Sequence, residues 1–242
     1  VEDVTMRLLR LALVAALAAS AAVPAGASAE RYRRDVSWSG YRWQVRLAQH
    51  ENPSNNNWGD APANVRVRAD GMLRLAITRT GGSRRSVEVV TKRRLGYGRY
   101  RWVVASPLGH LDLNSVLALF TDDVIYKSPW GEQIFEFGRW NDPTALPGWA
   151  VSWSRRTKSY DSFALTDLPP YTAEITWRAG SVRLALRDGA RTVLYDRTRP
   201  VASNGHWMAA RMSYWMYPGA PAAFVPPPVL LRSFHFTPLA RL

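Results

Sequence analysis

The sequence predicts an all-β protein arranged as a two-sheet antiparallel sandwich. Three observations carry that prediction. From Trp43 onwards, short stretches rich in β-branched and aromatic residues are separated by turn residues at regular spacing. No segment keeps a helical period. Two Asp-Gly pairs, Asp70-Gly71 and Asp188-Gly189, stand between alternating runs, where a hairpin needs residues that tolerate positive φ.

In chain order, Val65-Arg66-Val67-Arg68 alternates strictly and Leu73-Arg74-Leu75-Ala76-Ile77 alternates again after Asp70-Gly71, which makes a β-hairpin. Further strands are predicted at 87–91, 99–105, 115–120, 133–137, 149–154, 173–177, 182–186, 192–195, 209–215 and 230–236. Asp188-Gly189 turns the chain between two of them. The segments 50–62 and 218–228, rich in Asn or Pro and carrying aromatic residues, are loops. Loops on the rim of a rigid scaffold are common binding elements, and plain surface connections stiffened by proline have the same composition.

The first residues are not expected to belong to the fold. Met6-Arg7-Leu8-Leu9-Arg10 gives a basic start, 11–23 an apolar stretch and Ala27-Ser28-Ala29 a small-residue cleavage site, the pattern of a secretory signal peptide over residues 1–29. Residues 1–5 read as an upstream extension or an alternative start. The mature chain, 30–242, is read as a single domain that is secreted, and no stretch reaches the roughly 20 apolar residues of a membrane span. There is no cysteine, which rules out thiol catalysis and leaves stability to burial; 47% hydrophobic residues and 11 tryptophans can supply it. The net charge of +13 suits an anionic polymer, but lysine occurs only at 92, 127 and 158 and the arginines are scattered, so a bias towards arginine accounts for the charge equally well. The four histidines, at 50, 110, 206 and 235, lack metal-ligand spacing, and neither a serine triad nor a phosphate loop is present. No metal and no cofactor are expected.

The residues that point to chemistry lie in Gly131-Glu132-Gln133-Ile134-Phe135-Glu136-Phe137. In a strand, positions 132, 134 and 136 share one face, so Glu132 and Glu136 point the same way with Cα atoms roughly 13 Å apart. Leaning side chains on a curved strand could bring the carboxyls towards the separation of about 5 to 5.5 Å that a retaining glycosidase uses. The same spacing also occurs on the solvated face of an ordinary antiparallel sheet.

Around this strand the sequence resembles glycoside hydrolase family 16, the group of lichenases and laminarinases, over about residues 38–238. Trp130-Gly131-Glu132-Gln133-Ile134-Phe135-Glu136-Phe137 is similar to the family's Trp-x-Glu-Ile-Asp-Ile-Glu-Phe strand. Asp70-Gly71-Met72-Leu73-Arg74-Leu75 resembles its early hairpin, and Gly96-Tyr97-Gly98-Arg99-Tyr100 its Tyr-Gly-x-Tyr segment. Ile175-Thr176-Trp177-Arg178-Ala179-Gly180-Ser181-Val182, followed by Asp188-Gly189, resembles its Trp-x-Pro-Gly hairpin, and Met212-Ser213-Tyr214-Trp215 its Met-Asn-Leu-Trp strand.

The resemblance implies a curved jelly roll with a concave cleft for a polysaccharide, and a secreted, endo-acting enzyme that hydrolyses a β-glucan with retention. Glu132 would be the nucleophile and Glu136 the acid/base, its pKa raised in part by the charge on Glu132. Trp130 and Trp215 match family tryptophans that line the cleft, Trp140 joins them if the strand runs unbroken past Gly138, and Glu88 matches a glutamate that contacts substrate. The implied partner is a polysaccharide, with no nucleic acid and no membrane span, and a monomeric chain. Phe135 and Phe137, of opposite parity, are core residues.

The pattern breaks at Ile134, where the family has Asp, at Gln133, where it has an apolar residue, and at Ser213, where it has Asn. An apolar side chain between two carboxylates would raise both pKa values, which favours an acid and disfavours a nucleophile. The alternative reading is therefore a non-catalytic carbohydrate-binding jelly roll. A third is electrostatic adhesion to an anionic cell-wall polymer.

Overall fold

A computed structural model describes residues 31–123, 131–153, 158–201, 208–221 and 223–242. The segment read as a signal peptide lies outside them. In chain order the strands are β1 (Arg31–Trp38), β2 (Tyr41–Glu51), β3 (Asn56–Trp58), β4 (Val65–Val67), β5 (Leu73–Leu75), β6 (Thr78–Thr80), β7 (Ser83–Arg85), β8 (Val87–Thr91) and β9 (Gly98–Val104). They continue with β10 (Ser115–Asp123), β11 (Gln133–Phe137), β12 (Gly148–Trp153), β13 (Lys158–Phe163), β14 (Tyr171–Arg178), β15 (Ser181–Arg187), β16 (Val193–Pro200), β17 (Met208–Met216) and β18 (Val229–Pro238).

Two large antiparallel sheets face each other. One runs β1-β2-β8-β17-β10-β11-β12-β13, with β3 paired to β2; the other runs β16-β15-β14-β9-β18-β5-β4. Alternate residues of each inner face build one core: Val87, Val89, Leu117, Leu119, Phe135, Phe137, Met212 and Tyr214 from the first sheet meet Tyr100, Trp102, Ile175, Trp177, Leu184 and Phe234 from the second. Aromatic edges close the layer at both ends. Trp43 of β2 meets Phe234 of β18 at 5.1 Å, and Phe135 of β11 meets Tyr195 of β16 at 6.2 Å. Each fully buried large apolar side chain contributes about 1.5–3 kcal/mol. Phe135 and Phe137, both fully buried, therefore fix which way β11 faces, since a one-residue slip would carry them to the outside and the glutamates inwards.

The strands predicted from alternation are present, as are both hairpins: β4 pairs with β5 and β15 with β16. The structure adds β1, β2, β3, β6, β7 and β13; β3 and the end of β2 fall within 50–62, so that segment is not loop throughout, its short Asn-rich strand lacking the apolar alternation that marks one. β1 and β2 are joined through Ser39 and Gly40, both at positive φ (52° and 79°), as a tight hairpin requires. β1 and β13 are edge strands. Edge strands carry charged and polar residues that hinder further pairing, and this removes the apolar alternation by which a strand is recognised. Among the described residues, no helix is long and apolar enough to cross a membrane.

Candidate active site

Because the core fixes the odd positions of β11 inwards, Glu136 and Ile134 look out from the opposite face of the larger sheet. The register extends this face across five strands. Glu136 stands opposite Trp149 on one side and Ala118 on the other, Ala118 opposite Ser213, and Ser213 opposite Glu88. In the next row Ile134 lies between Val151 and Phe120, and Phe120 lies beside Arg211. The β10–β11 register ends at the Gln133–Thr121 pair; Glu132 precedes β11, its carbonyl accepts the Trp153 N–H at 2.8 Å, and its carboxyl feels the charge of Asp122. Glu136 thus faces away from the core, as its parity predicts, and Glu132, just before the strand, lies within electrostatic reach of it. That face is recessed: Glu136 is 6% exposed, and Ala118, Phe120, Ile134 and Val151 form a small apolar cluster of their own, against which Trp153 packs.

Behind the glutamates runs a buried ionic network. Arg211 Nη1 meets Glu88 Oε1 at 2.9 Å and its Nη2 meets Asp122 Oδ2 at 3.3 Å. Arg46 Nη1 meets the other Glu88 oxygen at 3.3 Å, its Nη2 meets Glu51 at 2.8 Å, and its guanidinium lies 4.4 Å from the centre of the Trp58 ring. Glu88, matched to a substrate-contacting glutamate, thus has both oxygens engaged by arginines. Buried charges persist only when paired in this way.

The aromatic residues gather at the Glu136 end. Trp140 lies 5.6 Å from Trp215, 5.6 Å from Tyr217 and 6.3 Å from Trp149. Trp140 does not arrive by strand continuation: β11 ends at Phe137, and Trp140 adopts φ 55° in the following turn. Trp140 and Trp215 are 4% and 1% exposed, while Trp149 and Tyr217 are only partly buried. Two of the three tryptophans named from sequence, Trp140 and Trp215, form the base of the cluster, and its accessible rings are two that sequence reasoning missed. Trp130 lies outside the described residues. Beside Tyr217 opens a depression of about 350 Å³, bordered by Ser54, Asn55, Asn57 and Arg84; this is the Asn-rich loop singled out in the sequence, and the carboxylates do not line it.

Burial dominates the electrostatics. It pushes the Glu136 carboxyl up to about 7, with Lys158 pulling the other way. Glu132 is held well above the carboxylate range by burial and then by the charge of Asp122; Arg211 opposes this, and Glu136 and Glu88 add to it. Burial is the largest cause of the Glu136 shift, and the repulsion between the two glutamates is felt at Glu132. Asp122, Arg211, Lys158, Trp149, Trp153 and Tyr217 were missed from sequence. Arg211 carried a signal, as a charge in the middle of an otherwise apolar strand. Asp122 carried none until the register was known.

The raised pKa of Glu136 has a consequence for stability. Above the unfolded-state value near 4.5 the unfolded chain has released this proton, whereas the native chain keeps it until about 7. Between these limits the unfolded state binds fewer protons, so Glu136's contribution to stability falls as pH rises through the window. Denaturant titrations at pH 4.5, 6 and 7.5 should show Glu136→Gln gaining on the wild type by a few kcal/mol across this range. A difference between the two proteins that does not change with pH would count against the shift.

Gln133 also departs from expectation for a core-facing position: it is fully buried, its Nε2 donates to the Trp153 carbonyl at 3.2 Å, and its Oε1 has no partner among the described residues. No group of three or more His, Cys, Asp or Glu among the described residues could hold a metal ion.

No family model matches the sequence, and no curated protein matches it. Solved structures do match in fold. A Bacillus licheniformis β-glucanase superposes with TM-score 0.62 at 14% identity, covering 88% of this chain and 99% of its own. A glycoside hydrolase family 16 endo-glucanase from Bacteroides ovatus gives 0.59 at 13% identity, covering 81% and 94%. A Mycobacterium tuberculosis protein described as an immunostimulatory antigen and pseudo β-1,3-glucanase gives 0.60 at 15% identity, covering 78% and 88%. The chain has the jelly-roll fold of these proteins.

Proposed function

We propose that this protein is a secreted glycoside hydrolase that cuts within a β-glucan chain with retention of configuration. The observation that carries this reading is the pair Glu132 and Glu136, within electrostatic reach of each other, with Glu136 on the recessed face holding its proton to about 7. Glu136 protonates the leaving glycosidic oxygen while the Glu132 carboxylate attacks the anomeric carbon. The glycosyl ester then forms, and Glu136, now a base, takes a proton from the water that frees the sugar. Trp149 and Tyr217 offer ring faces for sugar stacking at the Glu136 end. Glycoside hydrolases with this fold support the reading, as does the signal-like segment for secretion.

A second reading is a sugar-binding protein without catalysis. Ile134 between the two carboxyls and the raised pKa of Glu132 favour it, and a protein described as a pseudo-glucanase shares the fold. A panel of laminarin, lichenan, xyloglucan, agarose and carrageenan separates the two. Release of reducing ends from laminarin or lichenan, fastest below about pH 7, is expected for the hydrolase. Retention on an affinity gel with no reducing ends at any pH from 4 to 8 would establish the binding protein instead. In parallel, Ile134→Asp should raise activity if the apolar residue limits the chemistry.

A further inference from the structure

The sheet behind the one that carries the glutamates turns an arginine-rich face to solvent. Its inner positions fill the core, so its outer positions follow from parity and register. Arg99 and Arg101 point outwards from β9, Glu174 and Arg178 from β14, and Arg183 and Arg187 from β15. The cross-strand pair Arg66 and Arg74 adds to them from β4 and β5, and Arg232 from the register shift in β18. One row across the strands reads His235, Arg101, Glu174, Ala185, Asp196; the next reads Thr237, Arg99, Thr176, Arg183, Thr198. Eight arginines thus share a face with two described acids, Glu174 and Asp196. Arg101 meets Glu174 at 3.5 Å and Arg183 Nε donates to Asp196 at 2.7 Å. Among the described residues, Arg99, Arg178 and Arg232 make no ion pair. The arginines of the glutamate face differ: Arg46 and Arg211 are buried and engaged by Glu51, Glu88 and Asp122. Arginines that look scattered along the chain, from 66 to 232, are collected by the strand order.

We propose that this outer face is a docking surface for a carboxylate-bearing polysaccharide, separate from the face that holds Glu136. Like charges gathered on one sheet repel each other, and a polyanion laid across them relieves that repulsion. A guanidinium fork matches a carboxylate, and the pairs Arg183–Asp196 and Arg101–Glu174 show arginines of this face already set to that geometry. Arg99 and Arg101 stand about 7 Å apart along one strand, and sites two strands apart are separated by about 10 Å, so a linear polymer meets a charge at short intervals in either direction. Between the arginines, Thr172, Thr176, Ser181, Thr198, Ser233 and Thr237 offer hydroxyls to those of a sugar chain. No Phe, Tyr or Trp occupies a described outer position of these strands, so the face lacks the aromatic platform on which unpaired bases stack. That favours a polysaccharide over a single-stranded nucleic acid. Because the two sheets lie back to back, a polymer on this face leaves the recessed glutamate face open, and the chain can be held on one polymer while it meets another.

The test is binding to polygalacturonate, read by titration calorimetry at about 50 mM salt, where exposed charges act over more than about 10 Å. Duplex DNA is titrated beside it. The wild type should bind the polysaccharide, and the triple variant Arg99→Gln, Arg178→Gln, Arg232→Gln should bind it about tenfold more weakly, since three exposed charge contacts are lost. A control with the same loss of charge on the strands and turns of the other sheet, Arg42→Gln, Lys92→Gln, Arg139→Gln, should stay within about twofold of the wild type. Circular dichroism should show both variants folded, as surface substitutions of this kind leave stability nearly unchanged. Equal weakening in the control would overturn the proposal, because net charge would then attract the polymer without a defined face. So would a wild type that does not bind polygalacturonate. DNA bound more tightly than the polysaccharide at the same salt, and released by the first variant, would give the face to nucleic acid and overturn it too. Because binding needs no turnover, a chain that cleaves none of the polysaccharides yet binds through these arginines would refute the hydrolase reading and leave the docking face standing.

Discussion

Replacing Glu132 with Gln is expected to lower kcat on polysaccharide by roughly 10⁴-fold or more, the scale on which loss of a covalent nucleophile is felt. The amide has the shape of the acid but cannot form the glycosyl ester. Glu136→Gln should cause a comparable loss by a different route, and the two can be told apart. A substrate whose leaving group is stable as an anion needs no proton, so it should largely escape the Glu136→Gln loss and suffer the Glu132→Gln loss in full. Neither change should disturb the fold, since Glu136 is neutral below about 7 and burial also pushes the Glu132 carboxyl towards its neutral form, which the amide resembles. Circular dichroism checks this, the denaturation midpoint of Glu136→Gln being expected to move with pH as described above. Undiminished cleavage by Glu132→Gln would end the assignment of nucleophile.

The largest expected effect on stability comes from Arg211. Removing it as Arg211→Met takes an ion-pair partner from both Asp122 and Glu88 on a face where Arg211 is 6% exposed and Glu88 3% exposed. Breaking one side of a buried ion pair costs about 3–5 kcal/mol, because the remaining charge has lost its solvent and gained nothing. Glu88 is cushioned, since Arg46 still reaches its second oxygen at 3.3 Å. The penalty should therefore fall chiefly on Asp122, and Asp122→Asn added to Arg211→Met should recover a large part of it. A double-mutant cycle read by denaturant midpoints measures this coupling. A single variant within about 1 kcal/mol of the wild type would show that the network does not hold the face together.

How much of this was legible in the sequence follows from what each feature depends on. The orientation of the Glu132–Glu136 strand was legible because side-chain direction alternates with period two, and Phe135 and Phe137 are too apolar to face any way but inwards. The hairpin at Asp70-Gly71 was legible because its turn needs the positive φ that Gly71 adopts (79°); Asp188-Gly189 marked the second turn, but there the positive φ falls on Arg191 (66°). β1 and β13 were not, because edge strands hide their pattern behind charge. Trp140 shows the limit differently. Its parity depended on a strand that stops at Phe137, and it reaches the aromatic cluster through a turn.

The sequence by itself determined the all-β class, the two-sheet sandwich, and the outward direction of Glu136, since these follow from local periodicity and turn chemistry. Only the tertiary structure decided what surrounds the two glutamates. Asp122, Arg211 and Glu88 come to Glu132 from three other strands, and Arg211 is 79 residues away along the chain (211 − 132). Which residue stands opposite which is a matter of register between strands remote in sequence. Whether a carboxyl is a proton donor or a nucleophile is then decided by the burial and charges that this register assembles.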